Sequence, residues 1–351
     1  SLRFLSASLR ILSASLILAC SASWALLAAS ACRLLSASAA FRRASASALA
    51  LALVYGIGGA GIYGATLAWD AAQRGLAVAL IDRDDFGGGT SANSLKTVHG
   101  GVRALQSGNA SEMRLFVRER RALSRIAPHL VKPVEFMIPF YGFNLMQRIG
   151  MRLGMFLYDI LSYGKSLPNH VLLSADETKC AEPTIRTHGL QGAAIYFDAL
   201  VNSPERLCLE NIIDARENGA CVMNYAEVTQ MLGSNQVIRG VSVRDLLSGD
   251  QLHVEANFVI NASGPWLDNV TKILVGEHEP RLRTTKGIHV ACPLRHKRAL
   301  VLFSPIDGRL FFAIPWLHYS WIGTTETDFS NDPGQAKADG PDVHYLLQSV
   351  R

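Results

Sequence analysis

Three glycines in the run GAGIYG (Gly59, Gly61 and Gly64) constrain this 351-residue chain more than any other feature. They follow the apolar stretch Leu51–Val54 and Ile57, which suits a buried parallel strand. After such a strand the first glycine permits a tight turn and the second lets the backbone approach a pyrophosphate. The third lets the next helix pack close to the strand. The spacing predicts a helix over 63–74 whose amino end offers N–H groups and a positive dipole to phosphates. Gly75 stops it, and 76–81 reads as a second buried strand. Asp82 then stands about 20 residues past the glycines, where a carboxylate accepts ribose hydroxyls. Gly56, Gly58 and Gly61 fit the same spacing, but the later register leaves a normal helix before Gly75. Strand, turn, helix, strand and acid together point to a nucleotide-binding α/β domain.

The charge argues against a nucleic-acid partner. The chain carries 34 basic and 29 acidic residues, a formal +5. Its first fifty residues contribute five arginines and neither lysine nor acid, and without them the remainder is neutral. No basic face is left to follow a phosphate backbone. Residues 1–50 themselves read as a low-complexity segment outside the fold, with the tandem SLRFLSA and SLRILSA and no glycine, proline or acid. Their arginine- and serine-rich composition also suits an organellar transit peptide. Repetition and the missing initial Met favour a translated repeat or a misplaced start. The six cysteines are scattered without a CxxC and the ten histidines are dispersed, so free, at least partly buried thiols and no metal site are expected.

Further along, the pattern predicts a charged helix over 112–126, ended by Pro128 and Pro133, and a short strand over 136–141. Residues 145–161 alternate apolar and basic side chains at helical spacing. Two readings fit: a core helix of a second domain, or a membrane-surface or lid helix; the core reading is favoured. A helix with Pro204 at its first turn is expected over 203–218, ended by Gly219. Strands follow at 221–225 and 228–232, a hairpin at 236–244 and 251–254, and a buried strand at 258–261. Strands at 286–291, 299–303, 309–315 and 319–323 suggest an antiparallel sheet, and a helix follows over 343–350. No run of 18 apolar residues occurs beyond the first fifty, so no bilayer-spanning helix is expected there.

Several strings resemble the FAD-dependent glycerol-3-phosphate dehydrogenases, within the larger amino-acid-oxidase-like flavoprotein superfamily. They are DAAQRGLAVALIDRDDFGGGTSANSLKTVHGGVRALQ, DALVNSPERLCLENIIDA, NASGPWLDNV, TTKGIHV, DGRLFFAIPW and IGTTETDF. The resemblance implies an α/β fold: a Rossmann-like FAD-binding domain (51–126 plus 197–274) with an inserted α+β substrate domain on an antiparallel sheet (127–196 plus 275–330). Residues 331–351 would begin a truncated C-terminal region. It implies oxidation of sn-glycerol 3-phosphate to dihydroxyacetone phosphate by hydride transfer to FAD, with electrons passed to membrane quinone. The expected location is cytoplasmic and peripheral at the inner membrane, or mitochondrial if 1–50 is a transit peptide.

Residue by residue, the resemblance assigns FAD contacts to Gly59, Gly61, Gly64, Asp82, Thr90, Ser91, Ser94, Lys96, Val228, Ala262, Ser263 and Gly264. Val228 would meet adenine through its backbone, and Ser94 and Lys96 would lie against the isoalloxazine. Arg103 and Arg309 occupy positions that resemble substrate-binding arginines, and a guanidinium fork suits phosphate. His99, in HGGVR, is expected to be either the base that takes the hydroxyl proton or a donor beside the flavin, since imidazole titrates near neutrality. His289 is either a further pocket residue or a plain strand residue. Ala104 departs from the aromatic residue many members carry after this arginine, which leaves the substrate less fixed than the cofactor. Another 2-hydroxy acid or an amine, or an inactive gene fragment, stay as alternatives. The family also continues past this point with a Gly-x-Arg-Pro motif, so the chain reads as a fragment with a weakened hold on FAD.

Overall fold

Two sheets of opposite construction organise the chain, each at the centre of its own compact unit. The computed structural model describes residues 50–54, 59–101, 109–234 and 237–350. The first unit takes the described residues up to Ser94, then 203–284 and 332–334; the second takes 95–202, 285–331 and 335–350. The second unit thus starts at Leu95, not after Ile126. The helix over 110–126 belongs with the second unit's sheet because it buries Met113, Val117 and Arg120 there.

In the first unit, β1 (Ala50–Val54), β2 (Ala77–Ile81), β7 (Cys221–Met223) and β11 (Phe258–Asn261) form a four-stranded parallel sheet in the order β11-β1-β2-β7. Helix α1 (Ile62–Gln73) links β1 to β2, and α5 (Pro204–Glu217) precedes β7. Small residues make this packing close: Ala60, Ala65, Ala68, Ala71 and Ala72 of the α1 segment meet Cys208, Ile212 and Ala215 of α5. A separate antiparallel sheet joins β8 (Ala226–Ser234), β9 (Val237–Asp245) and β10 (Gln251–Glu255) around Val228, Val241 and Val243. Helix α6 (Leu267–Val275) follows β11 after a single 3₁₀ turn.

The second unit holds an eight-stranded sheet. Its strands are β3 (Thr97–Val98), β4 (Val131–Tyr141), β5 (Val171–Ser174), β6 (Leu190–Val201), β13 (His289–Pro293), β14 (Ala299–Phe303), β15 (Leu310–Trp316) and β16 (Tyr319–Gly323). The main path runs β13-β16-β15-β14-β4-β6-β3, with β5 also on β6. All its pairings are antiparallel except one, the parallel joint Ala299↔Phe136 and Leu300↔Met137. Helices α2 (Ala110–Ile126) and α3 (Leu145–Leu161) add Met113, Met155 and Tyr158 to the core on one face. Met137, Ile195, Phe311 and Ile322 form the core on the other, near α4 (Ala175–Ala181). The pair β12 (Thr285–Lys286) and β17 (Thr327–Asp328) and helix α7 (Gly340–Val350) complete the unit, tied by Lys286, whose ammonium meets Asp339 and Asp342 at 2.8 and 2.7 Å.

Three sequence expectations need correction. Strand β4 begins at Val131 and passes through Pro133. Proline is tolerated because it precedes the pairing with β14, so that side has no ladder bond to lose. Second, α3 has the expected span but gives the core only one narrow face. Only Met155 and Tyr158 are buried, while Leu145, Met146, Ile149, Leu153, Phe156, Leu157 and Ile160 are exposed. Third, the free thiols Cys180 and Cys221 are exposed, while Cys208 is buried. Among the described residues no helix is long and apolar enough to cross a membrane.

Candidate functional site

The first unit gathers most of the glycine-loop residues by hydrogen bonds. Gly59, Ala60 and Gly64 are buried, and Gly61 is the N-cap of α1, in extended conformation and with no side-chain cap of its own. Asp82 ends β2 fully buried; its backbone is bracketed by Met223 O and Ala226 N, both at 2.8 Å. Its carboxylate accepts from the amides of Ala60 and Asp84. Burial pushes the Asp82 carboxyl up to about 7, although the amides of Ala60, Asp84 and Gly59 favour the anion. Ser91 Oγ accepts from Ile62 N at 2.9 Å, and Gly87 N donates to Ala60 O at 3.0 Å, so the 87–94 loop is laced to the glycine loop. Thr90 on that loop is exposed and Ser94 half-buried. Val228 is buried on β8.

Ala262, Ser263 and Gly264 follow β11, the strand paired with β1 through Val54↔Asn261. Ser263 is buried with its hydroxyl on Asn261 Oδ1 at 2.6 Å, and Gly264 has φ +58°. A close-packed glycine in the first helical turn, a buried acid at the end of the second strand and a small-residue turn beside the first are what a dinucleotide requires. The residues present fit FAD.

In the second unit one face of the sheet carries a different chemistry. The register Phe312↔Gly323, Ile314↔Trp321, Trp316↔Tyr319 and Ala291↔Trp321 puts Phe312, Trp316, Trp321 and His289 on that face. Lys96 is buried, with φ +63°, a left-handed conformation that costs energy in a residue with a side chain. Its ammonium lies 4.8 Å from the Trp316 ring centre and 5.8 Å from that of Trp321. His289 stacks on Trp321 at 4.9 Å. Burial, and then the Lys96 charge, pull the His289 pKa down to about 4, so it is neutral at physiological pH. Among the described residues His289 Nε2 and Trp321 Nε1 are buried without a hydrogen-bond partner.

His99 is exposed on one side and lies 5.8 Å from Phe312, ring centre to ring centre. Its Nδ1 is 3.6 Å from Oδ2 of the buried Asp198. Asp198 Oδ1 accepts from Gly100 N at 2.6 Å and from Arg120 Nη1, which also donates to Phe197 O at 3.2 Å. Burial opposes the Arg120 charge, but Asp198 with Tyr158 outweighs it and holds the guanidinium above its ordinary value.

Lys96, His289 and Trp321 therefore cluster, and His99 joins the same aromatic face through Phe312. Arg309 is placed otherwise, exposed on the β14–β15 turn, with Nη1 on Glu326 O at 3.0 Å and Nε 3.3 Å from Asp307. Arg103 and Ala104 lie outside the described residues. Sequence reasoning missed Asp198, Arg120, Trp316 and Trp321. Asp198 opens the string DALVNSPERL, but nothing local marks its partner 78 residues away.

Comparison with known proteins gives this geometry its relatives. The chain is 37% identical over 302 residues to a glycerol-3-phosphate dehydrogenase of Synechocystis sp., covering 82% of this chain and 55% of that protein. It is 35% identical over 309 residues to an alpha-glycerophosphate oxidase of Lactococcus lactis, covering 83% and 49%. The structure of the Bacillus halodurans glycerol-3-phosphate dehydrogenase complexed with FAD superposes with a TM-score of 0.69 at 28% identity, covering 87% of this chain and 53% of that one. The chain thus spans about half the length of these relatives. Residues 56–351 match the family described as FAD dependent oxidoreductase, a match that takes in the glycine loop, the buried acid and the aromatic sheet alike. With most of its length accounted for in this way, the chain belongs to the FAD-dependent oxidoreductases.

Proposed function

We propose that this chain is the FAD-binding and substrate-binding part of a glycerol-3-phosphate dehydrogenase, oxidising sn-glycerol 3-phosphate to dihydroxyacetone phosphate. In this reading the first unit is the FAD domain and the second the substrate domain. The residues proposed to hold the cofactor are Gly59, Gly61, Gly64, Asp82, Thr90, Ser91, Ser94, Lys96, Val228, Ala262, Ser263 and Gly264. FAD, when bound, supplies the hydride acceptor. His99 takes the hydroxyl proton at Nε2, and Arg103 and Arg309 bind the phosphate. Arg309 keeps donors beyond the one given to Glu326 O. Lys96 brings a positive charge to the aromatic face.

The observation that carries the reading is the half-open imidazole of His99 on this aromatic face, backed by a buried carboxylate. Likeness to dehydrogenases and oxidases of glycerol phosphate supports the substrate. Dye reduction by the FAD-loaded protein tests it: glycerol 3-phosphate is expected to outrun glycerate, lactate and glycine by at least tenfold in kcat/KM. Equal or better turnover of an amino or hydroxy acid would overturn the assignment.

Membrane quinone is the proposed acceptor, with attachment at the membrane surface through α3. Its exposed Leu145, Met146, Ile149, Leu153, Phe156, Leu157 and Ile160 accompany Arg148 and Arg152, also exposed, a composition suited to an anionic lipid interface. Reduction of a short-chain ubiquinone in place of the dye checks the acceptor.

A further inference from the structure

We infer that Asp198 is a positioning residue that fixes the tautomer of His99, holding Nδ1–H inward and leaving Nε2 as the outward base. This rests on the reading of His99 as the proton acceptor. Asp198 is 1% exposed, and its two oxygens are in different situations. Oδ1 is occupied by the Gly100 amide and by Arg120. Oδ2 is buried and has no hydrogen-bond partner among the described residues. An orphan carboxylate oxygen inside a protein is costly, which favours any donor brought to it. His99 Nδ1 stands 3.6 Å away, an ion-pair distance that a small ring movement closes to a hydrogen bond.

Neutral imidazole carries one N–H and one lone pair, and a carboxylate can only accept. A proton on Nδ1 therefore satisfies Oδ2 and turns the Nε2 lone pair away from it. With Nε2 protonated, two lone pairs would face each other instead. The charged and titratable groups around Asp198 are Arg120 from α2, Tyr158 from α3, Tyr196 on β6 itself and His99. Burial, with Asp198 adding to it, raises both tyrosines, Tyr158 to about 12, so both are neutral. Arg120 offsets the Asp198 charge, so the carboxylate acts chiefly as a directed acceptor.

In the reaction the substrate O–H breaks and its proton forms the Nε2–H bond. FAD, when bound, would supply the acceptor for the carbon-bound hydrogen and its electron pair. The resulting imidazolium keeps Nδ1–H toward the Asp198 carboxylate.

The test reads the tautomer directly in the FAD-loaded protein by ¹⁵N NMR of the His99 ring, assigned by its loss in His99→Gln. The expected result is the Nδ1–H form in the neutral state, shifting to Nε2–H or a mixture in Asp198→Asn. An Nε2–H ring in the unaltered protein overturns the inference and needs no variant that must fold. Kinetics give a second arm. Asp198→Asn is expected to lower kcat roughly 100-fold with little change in KM, and Asp198→Glu to recover part of it. Adding Asp198→Asn to His99→Gln is expected to cost nothing further, because the two act as one unit. Additive losses would mean that Asp198 acts by another route. Full activity in His99→Gln would sink the base assignment while leaving the tautomer result standing.

Discussion

A methyl group on Gly100 would stand 1.8 Å from Nη1 of Arg120. The same carbon would be 2.7 Å from Asp198 Oδ1, so the guanidinium fills the space a side chain would need. Gly100→Ala must therefore displace a buried ion pair, and breaking such a pair costs about 3–5 kcal/mol. The expected outcome is a loss of that order in urea-unfolding stability of the second unit. A change below about 1 kcal/mol would show that the Arg120–Asp198 contact is easily rearranged.

Asp82 gives the flavin-free protein a pH dependence of unusual sign. A folded-state pKa near 7 lies above the ordinary 3.8, so the folded chain binds the proton more tightly than the unfolded one. That contribution is fully present below about 4 and is lost as pH rises through 7. The urea midpoint of the first unit should fall between pH 4 and 7, and Asp82→Asn should flatten this trend. A midpoint that rises alike in both proteins would contradict it.

His289 offers a complementary measurement. Burial is the larger cause of its low pKa and the Lys96 charge the smaller. Replacing Lys96 by Met should raise the His289 pKa from about 4, yet leave it below 6.5, as read by proton NMR titration. A return to 6.5 would make charge, not burial, the dominant cause.

The outer face of α3 can be tested on vesicles. Burying one large apolar side chain is worth about 1.5–3 kcal/mol. Leu153→Ser with Phe156→Ser should then weaken binding to anionic phospholipid vesicles roughly tenfold or more, leaving bound flavin unchanged. Equal sedimentation of variant and parent with the vesicles would remove α3 from the membrane contact.

What the sequence disclosed follows physical range. The glycine loop, α1 and Asp82 fall within one short stretch, Gly59 to Asp82, and the structure assembles them within one βαβ unit. Helix α3 was legible in extent from its apolar and basic residues at helical spacing, and the structure adds a capping box of Asn144 and Gln147 at its start. Its partners were not legible, because helical periodicity reports an apolar face without saying what covers it. The same limit hid Arg120: the charged pattern marks a helix without telling which of its charges are buried, and Glu119 and Arg120 are. Pro133 misled for the opposite reason: a strong local breaker sits inside β4, opposite Ala199 of β6 and ahead of the residues that pair with β14. The Asp198 cluster depends on pairings such as Thr97↔Leu200, about 100 residues apart, which no local pattern encodes.

The pairing of β1 with β11 joins Leu51 to Phe258, and that of β4 with β14 joins Phe136 to Ala299. A ribosome adding about 5–20 residues per second thus leaves β1 without its second neighbour for roughly 10–40 s. During that interval neither core can close, and the edges of β1 and β4 remain open to other chains. Growth temperature and holdase chaperones should therefore govern the yield of this protein more strongly than they would for a chain whose units mature one after the other.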